Sequence, residues 1–130
     1  MLKRDFILVQ IEELGKVLAQ LLDQRNHGAS RKTDVLMESI YSTLKVDKDF
    51  LLTHSVEEIH KALDGEDNAG LQRMEIAAKT LLEDYYINSK DSASLRKAQE
   101  ILLYIPQHDQ TFSIERVNLI DQIKELLPNS

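Results

Sequence analysis

Apolar residues recur along this chain at the spacing of a helix. Ile7, Ile11, Leu14, Leu18 and Leu21 fall alternately four and three residues apart, a seam that only a helix presents as one continuous stripe. The pattern predicts a first helix over Lys3–Asn26, with Gly28 as its stop. Gly15 and Ala19, with Leu8, flank the stripe, and the two small residues leave room for a second helix to lie close. Phe6, Ile7, Leu8 and Val9 point in different directions, so the start of this helix should be covered on nearly every side.

Similar stripes continue downstream. A second helix is predicted over Thr33–Val46, with Met37, Ile40, Tyr41 and Leu44 inward, then a short turn anchored by Phe50 and Leu51. Ser55-Val-Glu-Glu58 has the form of a capping box. It starts a helix carrying Val56, Ile59, Ala62 and Leu63 to Gly65, expected as a left-handed stop. The next helix is predicted over Ala69–Asn88, capped by Asn68 and carrying Leu71, Met74, Ala78, Leu81, Leu82 and Tyr85. Asp91 or Ser92 should cap a helix bearing Leu95, Ala98, Leu102 and Ile105, ended by Pro106. The last begins near Ser113 and should bury Val117, Ile120, Ile123 and Leu127. The expectation is an all-α single domain over residues 1–130, with five or six antiparallel helices in a tetratricopeptide-like right-handed array or an irregular bundle.

Composition narrows the chemistry. The 130 residues contain four glycines and two prolines, too little turn punctuation for a β-rich domain. Without cysteine there are no disulfides, thiolate zinc sites or cysteine nucleophiles. A net charge of −6, acidic in both halves, disfavours generic nucleic-acid binding. The opening Met1-Leu-Lys-Arg-Asp-Phe has a basic start, but Glu12 and Glu13 interrupt its apolar stretch. Neither export nor membrane spanning is expected, and a cytoplasmic location is the default. Arg25, His27, Arg31 and Lys32 form a local basic cluster around Gly28. It reads as positive charge complementing a helix C-terminus, with a phosphate or acidic-partner site as the alternative.

Few constellations suggest a site. From Asp64, oxygen-bearing side chains fall where an EF-hand loop places calcium ligands, through Glu66, Asn68 and Gln72 to Glu75. Ala69 occupies the position of the obligatory glycine, so a plain interhelical turn is the expectation. Glu57-x-x-His60 has di-iron spacing, but no second copy occurs, and His60 is expected on a solvated face. His54 is expected to staple onto Ile59, and His27 and His108 to fall in loops. Asp84-Tyr85-Tyr86 could line a groove, offering a carboxylate and phenol hydroxyls to a ligand. No nucleophile elbow or phosphate-binding glycine loop is present.

Two resemblances follow from these residues. Leu82…Tyr85 and Ala98…Leu102…Pro106 are similar to a degenerate tetratricopeptide unit. Arg4-Asp5-Phe6…Ile11-Glu12-Glu13-Leu14…Leu18, with Glu83-Asp84-Tyr85-Tyr86, resembles a bacterial all-helical family of tetratricopeptide-like proteins with no assigned activity. That resemblance implies no site residues. The expected function is a non-enzymatic protein-protein interaction module without cofactor or metal. Its candidate contacts are Phe6, Leu8, Val9, Tyr85 and Tyr86, and a homodimer through the first helix is one possible assembly. The alternative is a small-molecule or metal-binding helical protein using the Asp64–Glu75 loop or the Tyr85/Tyr86 groove.

Overall fold

The structure, a computed structural model, describes residues 2–28, 31–89, 91–109 and 111–127. It is all-α: α1 (Leu2–Asn26), α2 (Arg31–Leu44), α3 (Lys48–Thr53), α4 (Val56–Leu63), α5 (Gly70–Asp84), a π-helical turn (Tyr85–Ser89), α6 (Ser92–His108) and α7 (Ile114–Leu126). The count exceeds the expected five or six because the Phe50–Leu51 turn is a helix in its own right. Asp47 caps α3 by accepting from the Phe50 amide. Among the described residues no helix is long and apolar enough to cross a membrane.

Cross-helix contacts set the directions. Gln10 meets Arg73 while Arg25 meets Glu83, so α1 and α5 run the same way. Glu75 meets Arg116 while Tyr86 meets Gln122, so α7 runs with them. Tyr41 meets Asp84 and Met37 lies beside Asn88, so α2 runs opposite. Helix α5 is central, packing against α1, α2, α4 and α6. Its Met74, Ala77, Ala78 and Leu81 are buried with Leu21, Ile40, Leu51, Ile59, Ile101 and Ile123 in one core.

The apolar seam of α1 is split by this packing. Leu14 and Leu21 enter the core, whereas Ile11 and Leu18 are half-buried at its edge. Several local expectations hold: Gly28 has φ +100° after α1, Ser55 and Glu58 make the complete capping box, and Asp91 caps α6. Others are corrected. Gly65 is not in the left-handed region; Asn68 is, with φ 57°. Nor does Asn68 cap α5, because Asp64 and Asp67 accept from the Gly70 and Ala69 amides. Ala62 is exposed. Pro106 lies inside α6, which continues to His108 because Tyr104 and Ile105 bury its last turn and the Asp109 amide closes on the Ile105 carbonyl. His108 is therefore helical. His54 stacks on Phe50 at 4.0 Å between ring centroids instead of stapling to Ile59. His60 is half-buried and shares a 2.7 Å hydrogen bond with the Tyr104 hydroxyl. Val117 is exposed, and Arg116 takes the inward place through its ion pair with Glu75.

Candidate functional site

The carboxylates that the sequence placed beside Tyr85 and Tyr86 are buried. Glu83 is 8% exposed and Asp84 3%. Burying an acid is costly unless its oxygens are paired, and both are. Asp84 accepts from the Tyr41 hydroxyl at 3.1 Å, Lys48 Nζ at 3.3 Å and Asn88 Nδ2 at 2.9 Å. Burial, reinforced by the Asp84 carboxylate, pushes the Tyr41 phenol far above its usual range. Lys48 also reaches Asp91, at 3.7 Å. Glu83 accepts from Arg25 Nε, and the Arg25 guanidinium lies 4.2 Å from the centre of the Tyr86 ring. That geometry is a cation–π contact.

This hub spans the change from α-helical to π-helical winding, a feature often found where function or strain intervenes. The Tyr85 amide faces two carbonyls, Leu81 and Leu82. Tyr85 and Tyr86 are both half-buried, their rings edge-on at 5.4 Å. The Tyr86 hydroxyl accepts from Gln122 Nε2 at 2.7 Å, so Tyr86 is bordered by α1 on one side and α7 on the other.

About two turns earlier on α5, α1 and α7 border a groove of about 250 Å³. Ile11, Gly15 and Leu18 form the α1 wall, α5 supplies Leu71, Glu75 and Lys79, and Arg116 closes the α7 side. Glu75 accepts from Arg116 Nε at 3.0 Å, and Lys79 bridges Glu75 at 3.4 Å and Glu115 at 2.8 Å. The groove thus joins an apolar wall to an ordered polar rim. Gly15, singled out in the sequence as leaving room for a second helix to lie close, faces this groove instead. A Cβ built there meets nothing within 4 Å.

The remaining candidates fall elsewhere. Val9 is 55% exposed on α1, while the side chains of Phe6 and Leu8 lie outside the described residues. The Asp64–Glu75 segment is an interhelical turn as far as Ala69 and the start of α5 from Gly70 onward. Asp64 accepts from Gly70 N, and Asp67 from Ala69 N and from both Arg73 terminal nitrogens. Arg73 holds the Asp67 carboxyl down to about 2. Glu75 faces Arg116 instead of this turn. Glu57 and His60 gather no further metal-ligating partners: among the described residues no three His, Asp or Glu side chains cluster as a metal site. The basic cluster divides. Arg25, in the last turn of α1, joins the hub, but Arg31 and Lys32 open α2, the end of a helix whose dipole favours acids. Helix-dipole complementarity therefore accounts for Arg25 and not for Arg31 or Lys32. No family model matches the chain, and no curated protein or solved structure matches it.

Proposed function

We propose that this chain is a non-enzymatic helical interaction module that receives a segment of a partner protein in the groove between α1 and α7. Gly15 carries the reading. Glycine inside a helix costs about 1 kcal/mol relative to alanine, and no described neighbour of Gly15 stands where a side chain would go. A helix bears that cost where another backbone comes close. The shared direction of α1, α5 and α7 also supports a tetratricopeptide-like array, whose grooves commonly hold partner segments.

Gly15→Leu tests the proposal, because a Cβ at this position meets nothing within 4 Å and the longer side chain takes up space in the groove that Gly15 lines. Proteins co-purifying with the wild type from its native host are compared with those retained by the variant, and the enriched partner is then titrated in purified form. The expected result is unchanged or raised thermal stability with about tenfold weaker partner binding or worse. Equal binding by the two proteins refutes the groove as the contact site. Exposed Val9 favours a second reading, self-association through α1. Sedimentation of the wild type and Val9→Glu decides it, a concentration-independent wild-type monomer being the refuting outcome.

A further inference from the structure

Two of the histidines meet where α4 and α6 end. His60, in the last turn of α4, and His108, the last residue of α6, have ring centres 6.0 Å apart and stand edge-on. Tyr104 holds both. Its hydroxyl shares the 2.7 Å hydrogen bond with His60 Nδ1, its carbonyl lies 3.2 Å from His108 Nδ1, and its ring stacks on His108 at 4.1 Å. The His60 ring is fixed on a second edge, since its Cδ2 packs so close to Gly70 that a Cβ there would lie 2.8 Å away. The edge left to His60 is therefore Cε1–Nε2. His108 is exposed, and its Nε2 is likewise the ring nitrogen without a partner among the described residues.

We propose that His60 and His108 together bind a divalent transition-metal ion through their Nε2 atoms, with water completing its coordination. Imidazole nitrogen suits zinc, copper and nickel, whereas calcium and magnesium take oxygen ligands. An ion about 2.0–2.1 Å from a ring nitrogen lies about 3 Å from the ring centre, so rings sharing one have centres within about 6.5 Å. The observed 6.0 Å meets that limit. Metal-binding histidines usually donate their other ring N–H to a fixed acceptor, which sets the tautomer. Tyr104 supplies two such acceptors: with its hydroxyl turned to accept, both Nδ1 atoms carry hydrogen and both Nε2 atoms carry the lone pair. The local field has the matching sign. Helix C-termini favour positive charge, and the C-cap residues at these two are Asp64 and Asp109. Burial, and then the charge of nearby Glu57, raise the Tyr104 phenol above its usual range. Lys61, the neighbouring cation in sequence, is exposed on a different side of α4. None of these acids completes a three-ligand set among the described residues, so the two imidazoles are the protein's donors. His27 and His54 provide internal comparisons. Each turns Nδ1 to a carbonyl, of Asp23 at 2.8 Å and of Phe50 at 3.0 Å, but neither meets a second imidazole among the described residues.

The test titrates zinc alone into the untagged full chain, followed by NMR of the imidazole nitrogens and by thermal melts. Saturable binding of one zinc per chain is expected, with shifts centred on His60 and His108. The melting temperature should rise with zinc by mass action and fall back when EDTA is added. His108→Ala, a change at an exposed position, should weaken zinc binding by about tenfold or more while leaving the metal-free chain folded. His60→Gln should weaken it similarly, and melts without metal check that this variant also folds. His54→Ala should bind zinc as the wild type does, and calcium and magnesium should not displace the zinc. Unchanged affinity in His108→Ala, a loss in His54→Ala, or shifts centred on His27 or His54 overturns the proposal. So does the absence of saturable binding below about 1 mM zinc, a weakness below that of any specific site. Two chains per zinc would place the ion between copies and refute the intramolecular pair.

Discussion

The two ends of α5 carry similar side chains and are held in opposite ways. At the N-terminal end, Asp64, Asp67 and Arg73 lie within ten residues of one another and satisfy nearby amides, each other and the Leu63 carbonyl. Arg73 also reaches out of the turn to Gln10 of α1. At the C-terminal end, Glu83 and Asp84 draw on Arg25 of α1, Tyr41 of α2 and Lys48 of α3. The first end is a turn that closes on itself. The second is a tertiary junction whose polar groups stay satisfied only while several helices remain docked.

The sharpest break of that comparison is Asp84→Ala. It removes one acceptor from the Tyr41 hydroxyl, the Lys48 ammonium and the Asn88 amide together. Unfolding in urea should show a loss of about 3 kcal/mol, the scale for stripping the partner from a largely buried charge-assisted network. Asp67→Ala should cost clearly less, because Arg73 keeps Gln10 and the Leu63 carbonyl. Equal losses at the two ends would mean that the C-terminal junction does not act as a network.

Glycine gives the next contrast. A Cβ at Gly70 would lie 2.8 Å from His60 Cδ2 and Asp64 Cβ, and 2.9 Å from Asp64 Cα. The last of these is backbone, so Gly70→Ala must push α5 away from α4 and should cost about 2 kcal/mol, as overpacking does. At Gly15 the same substitution meets open space and should stabilise the fold by up to about 1 kcal/mol. Denaturant midpoints moving in opposite directions are the expected result. A destabilising Gly15→Ala would show that its space is needed within the chain, removing the chief support for the α1–α7 groove.

What is legible in the sequence divides in the same way, between local and distant causes. Ser55 and Asp91 were legible as caps because each bonds amides no more than three residues ahead. The apolar stripes made the all-α class legible for a similar reason, helical periodicity being a property of neighbours. Arg116 was not legible as an inward residue, since Glu75, which pairs with it, is 41 positions away. Tyr86 was marked by its neighbours in sequence, but Arg25 and Gln122, which define its setting, belong to the two ends of the chain. The π-helical turn had no signal of its own. From Asp64 to Glu75 the oxygen spacing alone cannot tell a calcium loop from carboxylates committed to amides and an arginine; Ala69, at the position of the obligatory glycine, is what makes a plain turn the expectation.

The smallest expected effect isolates the N-terminal turn by pH. Arg73 donates to Asp67 and, with the Ala69 amide, holds its carboxyl at about 2 in the folded chain. An unfolded aspartate titrates at about 3.9. The folded value is the lower one, so the stabilisation from this pair is fully present above about pH 4 and is lost as pH falls from there towards 2. Glu58 and Asp109 are also lowered, by hydrogen bonds from Ser55 and Thr111, and weaken over acidic pH in the same direction. The wild type alone cannot separate them. Asp67→Asn can, because it removes one titration and leaves those two in place. The melting temperature of the wild type should exceed that of Asp67→Asn at neutral pH, and the gap should narrow below about pH 4. A gap that stays constant down to pH 2 would mean that Asp67 contributes through the shape of the turn and not through its charge.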